Sequence, residues 1–361
     1  MPAPHTRGRT LKHHTVGTAI REHPRGLHLG RLWGISFFTV EHSVNQSGPL
    51  VALADRLPGS EPLLIDSANP VNYHQAITDP QTMQRQPIYG LLALPDGDGP
   101  HPVVIIVPGS SGVVANHARH AVTLRDAGHG VCVIDPFTTR AVTSTVANQA
   151  QYPFAASAHD VLAALGHLSR DRRIDVSRIS AQGHSRGGAA VLMAAMRVLA
   201  DPLVGDLSLA GVYAVYPWCG QQFLEPRIGD TVVRIIIGER DEWCSAQSAQ
   251  AQERAIALAG GSVSIRVVPG AHHSFDRHEE VNLVAAASVS PGAPIEYIAR
   301  DGSMIDPTTG VPDPQRRDID QFRAAIASGH GRKGALLGSE PGLAELFDRD
   351  MLDFHHSIFS A

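Results

Sequence analysis

From residue 88 onward, short apolar runs bounded by glycine or proline alternate with longer stretches in which apolar residues recur every three or four positions. The short runs read as strands: "IYGLLALP" from 88, "VVIIV" at 103–107, "HGVCVIDPF", "RISAQGHS", "LAGVYAVYP", "TVVRIIIGERD" and "SVSIRVVPG". Between them, "HARHAVTLRDAG", "AASAHDVLAALGHLSR", "RGGAAVLMAAMRVLA" and "SAQSAQAQERAIALAG" carry the helical period, two of them ending at glycine. The turn "DGDGPHP" carries the first run back into the second. Strands that are apolar throughout, rather than on alternate positions, must be covered on both faces. The pattern therefore predicts an α/β fold, a mostly parallel central sheet with helices on both faces and its functional edge at the carboxyl ends of the strands.

The flanks differ from this core. Residues 1–85 show no strand–helix rhythm; "RLWGISFFTVE" and "PLVALADR" read as strands and 57–87 as a turn-rich segment, together an N-terminal extension packed on the main body. The core is expected over 86–295. Residues 296–361 read as a C-terminal helical extension, with the loop "DGSMIDPTTGVPDPQ", a helix over "RRDIDQFRAAIASG" and a last helix over "LAELFDRDMLDFHHSIFSA".

Composition narrows the function classes. A chain of 361 residues with 43% hydrophobic and 18% charged residues is globular and can bury a large core. A net charge of −5 without basic runs argues against nucleic acid as a partner. No apolar run is long enough to span a bilayer or to follow the basic N-terminus as a secretory signal. Three cysteines without a CxxC pair suit a reducing setting, so the expected location is the cytoplasm. Histidine is frequent, 20 in all, with His117 and His120 three apart, but no HExxH or carboxylate spacing accompanies it. Most of these histidines read as surface or capping groups, and neither a metal nor another cofactor is expected.

One stretch carries chemistry. In "AQGHSRGGAA" Ser185 stands between Gly183 and Gly187, a GxSxG pattern that chance supplies about once in ten chains of this length. Its position between a strand and an alanine-rich helix is what makes it informative, because a sharp strand-to-helix turn lifts a serine hydroxyl above the sheet and needs room on both sides. The N–H groups opening the helix, that of Arg186 first, then face any negative charge developing beside the serine. The Arg186 side chain reads either as a ligand for a substrate carboxylate or as a solvated arginine. A serine needs a base, and two later strand ends offer partners: Asp241 in "IIIGERDEW", and His272 and His273 in "VVPGAHHSFD". Asp241 could instead cap a helix, with Glu242 or Asp276 as the acid. Other strand-end loops nominate pocket walls, namely Phe137 and Arg140 in "DPFTTR" and Tyr216, Trp218 and Phe223 in "VYPWCGQQF"; core packing is the competing reading.

These segments, with "HPVVIIVPGSSG" and "LRDAGHGVCVIDPF", resemble the dienelactone hydrolase family of α/β-hydrolases from about 86 to 290, and the chain order Ser, Asp, His is that of the superfamily. The resemblance implies His273 over His272, since the closing motif PGAxHxF fits "PGAHHSF". It also implies Asp241 from the GxxD pattern at Gly238–Asp241, and a second oxyanion donor from "PGSSG", with the Ser110 N–H first and Ser111 next. Family members that open dienelactones resemble cysteine enzymes with a glutamate in that loop; this chain has Ser185 and Gly109 there. The expectation is thus a serine esterase acting on a small carboxylic ester or lactone, with Ser111 also near the pocket. A peptidase or amidase and a non-catalytic binding module are the alternatives, and a homodimer is plausible because the extensions need a surface to pack on.

Overall fold

The computed structural model describes residues 48–360. Its centre is an eight-stranded sheet of β1 (Glu61–Ile65), β2 (Ile88–Ala93), β3 (His101–Val107), β4 (Gly130–Asp135), β5 (Ile174–His184), β6 (Gly211–Val215), β7 (Val232–Gly238) and β8 (Val263–Val268), in the spatial order β1-β2-β4-β3-β5-β6-β7-β8. From β4 to β8 neighbouring strands are parallel, and β2 is antiparallel to both β1 and β4. Strands β4 and β6 are buried along their whole length, which is why they read as unbroken apolar runs, whereas the edge strand β8 alternates.

Helices α1 (Ala115–Asp126), α2 (Phe154–Leu168), α3 (Arg186–Ala195), α4 (Ala246–Leu258), α5 (Asp318–Ala327) and α6 (Leu343–Phe359) surround the sheet or follow it. Side-chain parity along β5 separates two layers. Ser180, Gln182 and His184 share one face and meet His120 of α1 and His355 of α6. Gly183 turns to the other face, where α3 begins and packs against α2.

Several expectations change. The strands at 88 and 103 are not a hairpin pair, because β4 inserts between β2 and β3. "PLVALADR" forms a short helix, Pro49–Ala54, opened by proline rather than a strand. "RGGAAVLMAAMRVLA" breaks at Met196 into α3 and a second helix, Arg197–Val204, turned by 75°. The first sheet strand, β1, lies inside the segment read as an extension, and "RLWGISFFTVE" lies outside the described residues. Beyond β8, β9 (Asn282–Val289) and β10 (Arg332–Leu337) pair antiparallel, and short strands at Glu296–Ile298, Met304–Ile305 and Pro312–Asp313, the last two inside the expected loop, form a small sheet with Gln221–Phe223, so the C-terminal part is not only helical. The helices at 318–327 and 343–359 form as the periodicity predicts. Among the described residues no single helix is long and apolar enough to cross a membrane.

Candidate active site

At the carboxyl end of β5 the chain reverses into α3 through Ser185, whose φ of 56° and ψ of −112° lie where a side chain is normally strained. The flanking glycines permit this approach. A β-carbon on Gly183 would run into the Gly187 carbonyl, and one on Gly187 into the carbonyls of Val107 and Pro108. The strain is held by the ladder, since Ser185 N–H still donates to Val215 O at 2.8 Å.

Two neighbouring strand ends reach this serine. His273, in the loop after β8, has Nε2 3.0 Å from Ser185 Oγ and Nδ1 2.7 Å from Asp241 Oδ2, in the loop after β7. A carboxylate can only accept, so Nδ1 carries the proton, Nε2 presents its lone pair, and the serine hydroxyl donates to it. The other Asp241 oxygen accepts the backbone N–H groups of Trp243 (2.8 Å) and Cys244 (2.9 Å), a local cap and a histidine contact made by one side chain. The Trp243 ring lies nearly parallel to that of His273, 5.2 Å between centroids. His272 takes no part in this line. Glu242 accepts the Leu336 N–H instead, and Asp276 belongs to a separate cluster.

Arg186 opens α3, where the first N–H groups have no intrahelical acceptor. The "PGSSG" loop presses on the same turn: a β-carbon on Gly109 would sit 3.3 Å from Ser185 Cβ. Ser110 is buried in that loop, its hydroxyl donating to Gln149 Oε1 at 3.0 Å, while Ser111 is exposed. Neither sequence reading of the Arg186 side chain holds. Its guanidinium is buried, donates to Tyr152 O at 2.7 Å and stacks over Phe154 at 3.9 Å. Burial lowers its pKa to about 10, against the pull of Asp318.

A cavity of about 330 Å³ opens beside Ser185, bordered by Ser110, Arg186 and Trp218. Ser111 and Tyr216 line a smaller cleft on the His273 side. Three nominated walls lie elsewhere. Phe137 packs edge-on against Tyr152, Arg140 pairs with the buried Asp160, and Phe223 packs against Tyr73 in the core. Phe154, Trp243 and Phe322 line the main cavity and were not nominated. Trp243 stood two residues past Asp241 in the sequence; Phe322 had no local signal at all.

Four of the histidines, His117, His120, His184 and His355, are neither at the surface nor mere caps but lie buried under the site. His117 does cap, accepting the Val114 N–H at 3.0 Å, yet it is buried like the others. His184 Nε2 lies 3.1 Å from His120 Nδ1, and His120 Nε2 lies 3.4 Å from Asp276 Oδ2. Asp276 also accepts from Asn116 Nδ2 (2.6 Å) and Tyr216 OH (2.7 Å). Burial works against its charge, but His184 and these donors outweigh that and hold its carboxyl below the usual range. Burial pushes His184 down to about 4 and His120 well below its ordinary value. Among the described residues, the ligand atoms of His120, His184 and Asp276, and separately those of Asp241, Cys244 and His273, lie within 4.8 Å of one another, a spacing that could hold a metal ion. In the first group hydrogen bonds already occupy the Asp276 oxygens. All three cysteines are buried, and burial raises their thiols, Cys132 and Cys219 to about 12, so none resembles an activated thiolate nucleophile.

Comparison with known proteins places the core. The dienelactone hydrolase family model matches residues 88–291. No curated protein is similar enough in sequence to count as a match. Among solved structures, a dienelactone hydrolase-like promiscuous phosphotriesterase from metagenomic libraries is 15% identical, with 75% of this chain and 96% of that one covered and a TM-score of 0.43. Est1E from Butyrivibrio proteoclasticus is 15% identical over 54% of this chain and 88% of its own, TM-score 0.40. Esterase 2 of Thermogutta terrifontis, phosphorylated by paraoxon, is 14% identical over 62% and 87%, TM-score 0.45. At such identities and scores no functional detail passes from them to this chain. The family match spans more than half of the sequence and takes in β2 to β8 with the loops that carry Ser185, Asp241 and His273: the chain belongs to the dienelactone hydrolase family.

Proposed function

We propose that this protein is a serine hydrolase that cleaves a carboxylic ester or lactone of a small molecule through an acyl-enzyme at Ser185. The observation that carries the reading is the continuous hydrogen-bonded line from Ser185 Oγ through His273 to Asp241, seated on a strained strand-to-helix turn. In this mechanism Ser185 Oγ attacks the carbonyl carbon while His273 Nε2 takes its proton, and Asp241 stabilises the imidazolium without being protonated. The tetrahedral oxyanion meets the backbone N–H groups of Arg186 and Ser110, a pair of donors in which each is worth roughly 3 kcal/mol of barrier. Collapse breaks the bond to the leaving oxygen, which takes the proton from His273. A water then gives its proton to Nε2 and attacks the acyl carbon, releasing the acid and restoring Ser185. Since Ser185 is part-exposed at the floor of the cavity, a small ester has access to it.

A fluorophosphonate probe tests the assignment. The wild type is expected to be labelled and to hydrolyse 4-nitrophenyl esters, and Ser185→Ala to lose the label and turnover by more than about 10⁴-fold. A folded wild type that neither labels nor hydrolyses any member of an ester and lactone panel would overturn the proposal; faster cleavage of matched amides would move it to the amidases.

A further inference from the structure

The main cavity has walls and a mouth of different chemistry. Phe154 and Trp218 stack at 4.2 Å, with Phe322 6.1 Å from Trp218, and these rings with Trp243 give the cavity an aromatic interior. At its mouth stand Arg323 of α5 and Lys333 of β10, both exposed. Not one Asp or Glu lines the cavity among the described residues, although the chain carries more acidic than basic residues, 35 against 30. Neither cation is tightly neutralised. Arg323 faces Asp320 loosely at 3.8 Å with both side chains in solvent, and Lys333 Nζ donates to a backbone carbonyl, that of Ala147, at 3.2 Å. The third cation at the cavity, Arg186, donates to the Tyr152 and Gln149 backbone carbonyls and to Gln149 Oε1, so it offers no free ligand group. Arg323 and Lys333 both lie past residue 291, where the family match ends.

We propose that the cavity takes an amphipathic, anionic ester, with the ester bond at Ser185, an apolar or aryl body against the tryptophans and phenylalanines, and a terminal carboxylate at Arg323 and Lys333. The proposal rests on the serine hydrolase reading and names its substrate class. A volume of about 330 Å³ accommodates such a body, and a mouth of one charge sign raises the local concentration of the opposite one. Selection by charge in this enzyme is then a property of the C-terminal segment, laid over a core whose chemistry is indifferent to charge at the far end of the substrate.

The test compares matched esters that differ only in a distal carboxylate against a methyl group. One pair carries it on the acyl side, 4-nitrophenyl hydrogen adipate against 4-nitrophenyl hexanoate, and one on the alcohol side, with a carboxyalkyl against an alkyl ester of benzoic acid. Full-length enzyme at low ionic strength is expected to favour the charged member of at least one pair by about tenfold in kcat/KM. That ratio should shrink several-fold in 0.5 M salt, as screening of exposed charges requires, and fall to about one in Arg323→Gln/Lys333→Gln. A ratio near one in the wild type for both pairs, or a preference that survives in the double variant, overturns the proposal. Either result with intact fluorophosphonate labelling leaves the serine hydrolase assignment standing; loss of labelling and of all ester cleavage in the wild type would instead defeat that assignment.

Discussion

Replacing Asp241 by asparagine isolates the electronic part of the proposed mechanism. Asp241 Oδ1 accepts two backbone N–H groups, those of Trp243 and Cys244, at 2.8 and 2.9 Å. An asparagine must keep its carbonyl oxygen there, because its amide would set donor against donor. The amide nitrogen is thereby forced to the Oδ2 position, 2.7 Å from His273 Nδ1. An N–H facing Nδ1 makes that nitrogen the acceptor and moves the ring proton to Nε2, where it confronts Ser185 instead of receiving from it. The fold should be unaffected, while kcat drops by about 10⁴-fold, on the order of 5 kcal/mol of barrier. Asp241→Ala separates this from structure, since it also strands the two N–H groups, each costing roughly 1–3 kcal/mol when buried. The assay is kcat and KM on a 4-nitrophenyl ester beside a thermal melt of each variant. Asp241→Asn is expected to keep its Tm and lose turnover; Asp241→Ala should lose both. An Asp241→Asn enzyme with wild-type Tm and kcat within tenfold of wild type would refute the tautomer argument and, with it, the assigned role of Asp241.

Two further outcomes follow from the same geometry. Gly187→Ala places a β-carbon against the carbonyls of Val107 and Pro108, which are backbone and cannot yield cheaply; it should lower Tm markedly or abolish soluble expression, and a variant with unchanged Tm would show that the elbow is looser than described. Acidification should destabilise the fold through the buried cluster: His184 binds its proton near pH 6.5 when unfolded but only near 4 when folded, so stability is full above about pH 6.5 and falls as pH drops toward 4, by roughly 3 kcal/mol from this group. The lowered Asp276 carboxyl acts in the same direction, its contribution being lost at still lower pH. Urea melts at pH 7.0 and 4.5 measure the difference, and equal unfolding free energies at the two values would contradict it.

The alternation of apolar runs and helical stretches from 88 to 268 was enough to read the α/β architecture, because strands buried on both faces and amphipathic helices write their environment into neighbouring residues. Ser185, Asp241 and His273 were legible for a related reason: each follows a strand and sits in a short local pattern, and the glycines at 183 and 187 answer a steric demand within a few residues. What lay beyond reach depended on contacts between distant segments. Strand order could not be read, since nothing local distinguishes a β2 that returns beside β3 from one separated from it by β4. Arg186 looked like a surface group until Tyr152 and Phe154 closed over it, and His120, His184 and Asp276 had no mutual spacing to suggest that they meet. The cavity wall supplied by Phe322, Arg323 and Lys333 is the strongest case. Those residues are more than 130 positions from Ser185, and only the packing of the C-terminal segment, which pairs β10 with β9, brings them to the site. Local chemistry is encoded locally, but which surfaces share a pocket is settled by the folded chain, where burial and pairing energies are summed over segments far apart in sequence.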